Sequence, residues 1–426
     1  MTTTLTPPAL DRDGFIAWYR QNRLRSRYLF DRVRPEAYES RPIPLRHPPV
    51  FYEGHLPAFS FNKLAYETFG RPPIDVALQS LFERGIDPGD AASAAAAKRA
   101  SWPTRPEVWE FAAKCDAVVE DILRNESLDV KGADPRKERA HAVWTILEHE
   151  PMHHETFSYI LHRMPLGQKI RPYDYAQPRD AAHPPLRRVE IPAGSATLGA
   201  RRSEAPFAWD NEFEEHRIDV DRFECDVYPV TNRQWMAFVR DGGPVPSFWV
   251  EADGGFKLLT AWAILPMLEA APVWVTSEQA RGYAAWAGRR VMSEAQYHRA
   301  AFGMPDGREQ AYPWGDAPPT RAHGNFDFQN WDVAPVGAYP AGTSAFGIAE
   351  LIGNGWEHTS TPFMPFDGFE AHASYPQYST DFFDGKHYVV KGASPITPIA
   401  HVRRSFRNWY YGDYPYLYAK FRTVND

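Results

Sequence analysis

The stretch His149-Glu150-Pro151-Met152-His153-His154-Glu155 holds the residues best suited to chemistry. It lies inside an apolar-periodic run, from Val143 to Leu161, that reads as a helix. At about 100° per residue, His149 and His153 fall roughly 40° apart, one turn along the same face. Two imidazoles so placed can share one transition-metal ion. One further ligand would still leave open coordination positions for a reaction. That ligand is expected from a different helix. His55, in Phe51-Tyr52-Glu53-Gly54-His55, opens another helical candidate and is the choice. His47 sits in a loop before two prolines, and His141 and His154 are less well placed. His154 points about 100° away from His153 and reads as a solvated or supporting residue.

The same letters, H-E-x-x-H, invite a zinc-hydrolase reading with Glu150 as general base. Two features weigh against it. Pro151 stands between the histidines, where it removes a helix hydrogen bond and is expected to bend the helix. Glu155 to Met164 hold no Gly-x-x-His continuation, although Glu155 itself is a possible ligand. The plainer reading is a chance histidine pair, one ring buried and the other solvated.

The elements that must position these residues fall into two regions. In residues 1–165 four helices are predicted: Asp11 to Val33, Phe51 to Phe69, Arg105 to Asn125, and about Lys137 to His162. On the first, Ile16, Trp18, Tyr19, Leu24, Tyr28 and Leu29 are the expected core contacts. Four helices with long connections suggest a bundle, whose interior is a usual place for a metal. The run Ala92 to Ala97 reads as surface. Residues 166–188, rich in Pro and charge, read as a linker. From 189 to 426, short apolar runs alternate with Gly, Pro and Asn turns around three helices: Asn232 to Asp241, Ser277 to Ala287 and Ser293 to Phe302. This region is expected to be α+β, with aromatic, Gly-rich loops suited to a concave site.

Bulk properties narrow the class. With 426 residues, 43% hydrophobic and 14% aromatic, the chain has ample material for more than one packed core. A net charge of -7 argues against a nucleic-acid-binding role. No apolar run is long enough to span a membrane, and the first residues lack the basic flank and apolar core of a secretory signal. Cys115 and Cys225 form neither a disulfide framework nor a CxxC site, which fits a cytoplasmic location. No oligomeric state follows from these residues.

Gly54-His55 at the start of one helix and H-E-x-x-H on a later one resemble the DinB-like domain of the ergothioneine-type sulfoxide synthases. Residues 189–426 resemble a formylglycine-generating-enzyme/sulfatase-modifying domain, of a fold related to C-type lectins, almost from end to end. The matching blocks are VEIPAGSATLGA (189–200), YPVTNRQWMAFV (228–239), PVWVTSEQARGYAAWAGRRVMSEAQYHRAA (272–301), YPWGD (312–316), PVGAYPAGTSAFGIAELIGNGWEHTS (335–360), VVKGAS (389–394) and FRNWY with FRT in 406–423. The resemblance implies a non-haem iron, Fe(II), enzyme that uses dioxygen. It would form a carbon–chalcogen bond at the imidazole of hercynine, the trimethylated histidine betaine. It also implies that His55, His149 and His153 are the iron ligands, and that Asn408 and Trp409 lie near hercynine. A Trp face suits a quaternary ammonium that can donate no hydrogen bond. Tyr375, Tyr378 and Tyr410 are the candidates for a proton or electron donor near the iron.

The chain also departs from the ergothioneine pattern. Mycobacterial-type members usually show H-E-Q-Q-H and N-W-D, where this sequence has Pro151-Met152 and Tyr410. The Arg-rich stretch that helps hold γ-glutamylcysteine is thinned to Lys98-Arg99-Ala100-Ser101-Trp102-Pro103-Thr104-Arg105. A dicarboxylate donor calls for guanidinium clamps, so a less anionic donor is expected. Met152 and Arg99 are accordingly read as substrate-contacting positions. The branch that fits is the selenoneine synthases, which join a selenosugar to hercynine. Tyr410, Tyr411, Tyr414 and Tyr416 offer partners for a sugar. The alternative is an ergothioneine- or ovothiol-type enzyme with a thiol donor such as γ-glutamylcysteine or cysteine.

Two rivals come from other classes. Formylglycine generation needs a pair of late cysteines, and none follows Cys225, itself read as a buried strand residue. A lectin-like binding module explains the aromatic loops but not three histidines.

Overall fold

The computed structural model describes residues 11–83, 101–132 and 134–425. They divide into two compact units. One comprises residues 11–174 with Ala373–Tyr375, and the other Tyr175–His372 with residues 376–425. The division at 174/175 falls within the Pro-rich stretch read as a linker. The run Ala92 to Ala97 lies outside the described residues.

The first unit is helical. Helix α1 (Arg12–Phe30) begins at Asp11, whose carboxylate accepts from Gly14 N at 2.8 Å and satisfies one of the unpaired amides of the first turn. Phe15, Trp18, Tyr19, Asn22, Ser26 and Leu29 recur at three and four residues and form its buried face. Leu24, expected inside, is 64% exposed because it falls outside that stripe. Helix α2 (Pro49–Ser60) is buried along its whole length and continues into a π-helical stretch, Phe61–Thr68. The sequence reading did not anticipate α3 (Val76–Phe82), which is capped by Asp75 accepting from Leu78 N at 2.9 Å. Helix α4 (Arg105–Asn125) opens on a capping box, Thr104 with Glu107.

Helix α5 (His141–Arg163) starts a turn later than the expected Lys137, after two left-handed residues, Arg139 and Ala140. It runs through Pro151 without a break. A proline cannot donate to the carbonyl four residues back, here Leu147 O. That oxygen accepts instead from Asn22 Nδ2 of α1 at 2.9 Å. Helix α1 packs on α4 and α5, and α2 packs on α3, α4 and α5. Among the described residues no helix is long and apolar enough to cross a membrane.

The second unit is α+β. Its first half holds β1 (Arg188–Ile191), β2 (Gly194–Leu198), β3 (His216–Val220), β4 (Phe223–Asp226), α6 (Asn232–Arg240), β5 (Trp249–Ala252), β6 (Gly255–Leu259), β7 (Ile264–Pro266) and α7 (Ser277–Trp286). The rest holds β8 (Arg290–Val291), α8 (Glu294–Phe302), β9 (Gly355–Pro362), α9 (Gln377–Thr380), β10 (His387–Ala393), β11 (Asn408–Tyr411), β12 (Ala419–Lys420) and β13 (Thr423–Asn425). One sheet runs β1-β4-β13-β8 and another β11-β10-β9-β12, with β12 parallel to β9. Helices α6, α7 and α8 all begin on the same device, a Ser or Thr cap with Gln three residues on: Thr231/Gln234, Thr276/Gln279 and Ser293/Gln296. Deep in the core, Glu357 of β9 is paired with Arg422 at 2.9 Å and Lys420 at 3.3 Å. Strand β11 lies antiparallel to β10, so Trp409 and its neighbours Asn408 and Tyr410 point to opposite faces.

Candidate metal centre

Within the helical unit, α2 and α5 bring three imidazoles together. One ring nitrogen from each of His55, His149 and His153 lies within 4.8 Å of the other two. The Nε2 atoms of His149 and His153 are 3.1 Å apart. His55 and His149 are buried, and His153 is half-buried. Aromatic rings wall the cluster: Phe59 stacks on His149 at 3.5 Å between centroids, and Phe51 on His55 at 5.3 Å. Tyr52 stands 5.7 Å from His153. Burial, then the neighbouring imidazoles, hold His149 well below the ordinary histidine range, and His153 is lowered likewise. Burial also lowers His55 to about 4, against the opposing pull of the Phe82 carbonyl. The rings are therefore neutral, each with a lone pair to offer.

His55 is oriented by an element absent from the sequence reading. Its Nδ1 lies 2.7 Å from Phe82 O at the end of α3. A carbonyl only accepts, so Nδ1 carries the proton and Nε2 keeps its lone pair. That Nε2 is buried with no hydrogen-bond partner among the described residues. Gly54 makes the approach of α3 possible, since a Cβ there would sit 2.4 Å from the Phe82 ring. The Gly54-His55 pair thus acts as one device: the glycine admits the Phe82 ring, and the Phe82 carbonyl fixes the histidine. The available signal for α3 was the Asp75 cap before Val76, Leu78, Leu81 and Phe82.

The other face of α5 is engaged differently. Glu150 Oε1 accepts from Arg23 Nη1 at 2.9 Å and from Ser26 Oγ at 2.5 Å, both on α1. Arg23 also pairs with Asp116 of α4 at 3.1 Å, and Tyr19 donates to Asp116 at 2.7 Å. Burial pushes the Glu150 carboxyl up, while Arg23 and Ser26 pull the other way. Through Oε1 this carboxylate is turned to α1, which weighs against the zinc-hydrolase reading that made it a general base, while its Oε2 is buried with no hydrogen-bond partner among the described residues. His154 is buried rather than solvated, its Nε2 2.8 Å from Ser26 Oγ. Glu155 accepts from Tyr159 at 2.5 Å.

Of the three candidate tyrosines, Tyr375 belongs to the same compact unit as the histidines. Its ring centroid is 6.2 Å from His149 and 5.4 Å from Phe59. Lys63 Nζ lies 5.7 Å from the Tyr375 ring and is itself held by Glu67 at 2.8 Å. Met152 is half-buried on α5, three residues after His149. Arg99 lies outside the described residues.

Tyr378, Asn408, Trp409 and Tyr410 belong to the other unit. There Trp409 stacks on Phe363 at 4.3 Å, with Tyr378 edge-on at 5.2 Å and Phe382 at 5.5 Å. Tyr378 itself stacks on Trp209 at 3.9 Å. Asn408 Oδ1 accepts from Trp409 N at 2.9 Å. Tyr410, on the opposite face of β11, lies against Tyr414 at 5.1 Å, which meets Tyr416 at 5.2 Å. Cys225 is buried in β4 between Val189 and Val424, and burial pushes its thiol up to about 12. It is inert packing, as the strand reading expects.

The family model of the sulfatase-modifying factor enzyme 1-like domain matches residues 175–426. A hercynine oxygenase of Mycobacterium tuberculosis is 33% identical over 322 residues, covering 71% of this chain and 75% of that protein. One from Mycolicibacterium thermoresistibile is 34% identical over 313 residues, covering 67% and 69%. Ergothioneine biosynthesis protein 1 of Neurospora crassa is 25% identical over 485 residues, covering 91% of this chain and 54% of that protein. With a domain match over more than half its length and relatives alike across both units, the chain belongs to the ergothioneine-type sulfoxide synthase family.

Proposed function

We propose that this chain is a non-haem iron(II), dioxygen-dependent enzyme that forms a carbon–chalcogen bond on the imidazole of hercynine. In this reading the donor is a selenosugar, and the helical unit is a DinB-like four-helix bundle in which His55, His149 and His153 hold the iron. The observation that carries it is the convergence of three neutral imidazoles, two buried and one half-buried, with a lone pair left unused on His55.

The residues fit such an ion. Two nitrogens about 2.0–2.1 Å from one metal are separated by about 3 Å when they are neighbours in its coordination sphere, and His149 and His153 Nε2 are 3.1 Å apart. Three ligands leave further positions for substrates. Imidazole suits both iron and zinc, so iron is taken from the family. The engagement of Glu150 Oε1 by Arg23 and Ser26 weighs against its serving as the base that a zinc hydrolase needs. When bound, iron supplies the reduction of dioxygen that matches oxidation of the chalcogen.

The remaining tasks fall to side chains. Replacing the hydrogen on the imidazole carbon by selenium removes two electrons and two protons from the substrates. Dioxygen takes them up either as hydrogen peroxide or, where selenium is oxidised further, as one selenoxide oxygen and one water, so a group that moves protons is needed. We assign that role to Tyr375, because its ring stands beside His149 and Phe59. Tyr378 and Tyr410 are engaged with Trp209 and Tyr414 instead. Trp409 and Asn408 are assigned to hercynine, with an indole face for the trimethylammonium group. The apolar Met152 and the thin stretch around Arg99 favour a donor with little negative charge.

The names of the relatives favour a second reading, a thiol donor such as γ-glutamylcysteine or cysteine. Hercynine-dependent oxygen uptake by the iron-loaded protein tests the reaction class. Offering a selenosugar and γ-glutamylcysteine together, with hercynine fixed, tests the donor. Predominance of the selenium product is expected. A predominant sulfur product would replace the donor, and no oxygen uptake with either would end the proposal.

A further inference from the structure

We infer that His141 and Ser374 form a clasp that positions Tyr375 beside the histidine cluster. The inference rests on the reading above, in which Tyr375 moves protons. Ala373, Ser374 and Tyr375 belong to the helical unit, although the chain before and after them belongs to the other. Contacts at Ser374 and at Tyr375 hold this tripeptide. Ser374 is 1% exposed, and its Oγ shares a hydrogen bond with His141 Nδ1 at 3.0 Å. Tyr375 then lays its ring against Phe59 and His149, with Lys63 Nζ near its face.

The clasp is anchored on the same helix that carries the cluster. His141 is the first residue of α5, and His149 stands eight residues later, about 12 Å along the axis. A continuous helix therefore fixes the distance between the grip on Ser374 and the ring that Tyr375 faces. The start of the helix is itself fixed. Arg139 N donates to Asp129 Oδ1 at 2.8 Å, Ala142 N donates to Arg136 O at 2.8 Å, and the intervening Arg139 and Ala140 are left-handed. A three-residue visit held at its middle by one side chain suits a device for presenting the next residue. His141 and Ser374 are positioning residues, since they act through Tyr375.

Two readouts on the full chain test this. In metal-free protein carrying 3-fluorotyrosine at position 375, the fluorine NMR resonance reports the ring environment without any turnover. Ser374→Ala and His141→Asn are expected to shift or broaden that resonance, and Ser374→Thr, which keeps the hydroxyl, to retain it. In the iron-loaded enzyme, Ser374→Ala is expected to lower kcat by about 10–100-fold with the KM for hercynine little changed, the scale expected of a misplaced reacting group. In a Tyr375→Phe background the same substitution should cause no further loss. An unchanged fluorine resonance in Ser374→Ala, or losses that multiply in the double variant, would overturn the clasp. If the wild type does not turn over hercynine, the functional reading fails while the resonance still judges the clasp.

Discussion

The two faces of helix α5 use the same residue types for opposite ends. On one, His149 and His153 meet His55 among aromatic rings, and the nitrogens that face one another are left for a ligand. On the other, Glu150 and His154 are drawn into hydrogen bonds and ion pairs with Arg23 and Ser26. Both faces are buried, so desolvation does not distinguish them. What distinguishes them is partners. In the Arg23, Asp116 and Glu150 group both carboxylates meet a cation within the protein, whereas the imidazoles stay neutral and incomplete. An H-E-x-x-H motif therefore acquires its chemistry from the elements that α5 packs against.

Substitutions on each face should break the comparison in different ways. The largest effect is expected from His149→Ala or His153→Ala, with metal binding and turnover both abolished and thermal unfolding near that of wild-type metal-free protein. Residual turnover at the wild-type rate in either variant would remove that residue from the centre. Arg23→Ala should act on stability instead. It leaves Glu150 buried without its cation, at a cost of about 3–5 kcal/mol by chemical denaturation. Gly54→Ala should combine the two effects more mildly. The Cβ meets the Phe82 ring, costing about 1–3 kcal/mol. Displacement of the Phe82 carbonyl from His55 should also weaken metal binding by about 10–100-fold. The smallest effect on turnover is expected from Glu150→Gln, which should remain close to wild type while losing about 1–2 kcal/mol of stability. Abolished turnover there, with metal still bound, would restore Glu150 as a base.

Helices α1 and α4 were legible from their apolar stripes and caps, and α2 and α5 from their apolar runs, whereas α3 was missed. Asp11 and the Thr104/Glu107 box mark two of the starts, and Pro106 sits in the first turn of α4. The common face of His149 and His153 followed from spacing alone. What was not legible depended on distant chain. The tolerance of Pro151 rests on Asn22, more than a hundred residues away, and the orientation of His55 rests on a carbonyl of the short helix α3. Tyr375 could not be ranked above Tyr378 and Tyr410 from sequence, because nothing local marks the three residues that join the helical unit. Leu24 was misjudged because one leucine at the border of a stripe carries no directional signal of its own.

The central claim, that three imidazoles hold one iron, is most directly tested by anaerobic calorimetric titration of iron(II) into the full metal-free chain and into His55→Ala, His149→Ala and His153→Ala separately. A single tight site in the wild type, lost in each of the three variants, is the expected result. Tight binding that survives any one of these substitutions, or no tight binding in the wild type, would contradict it.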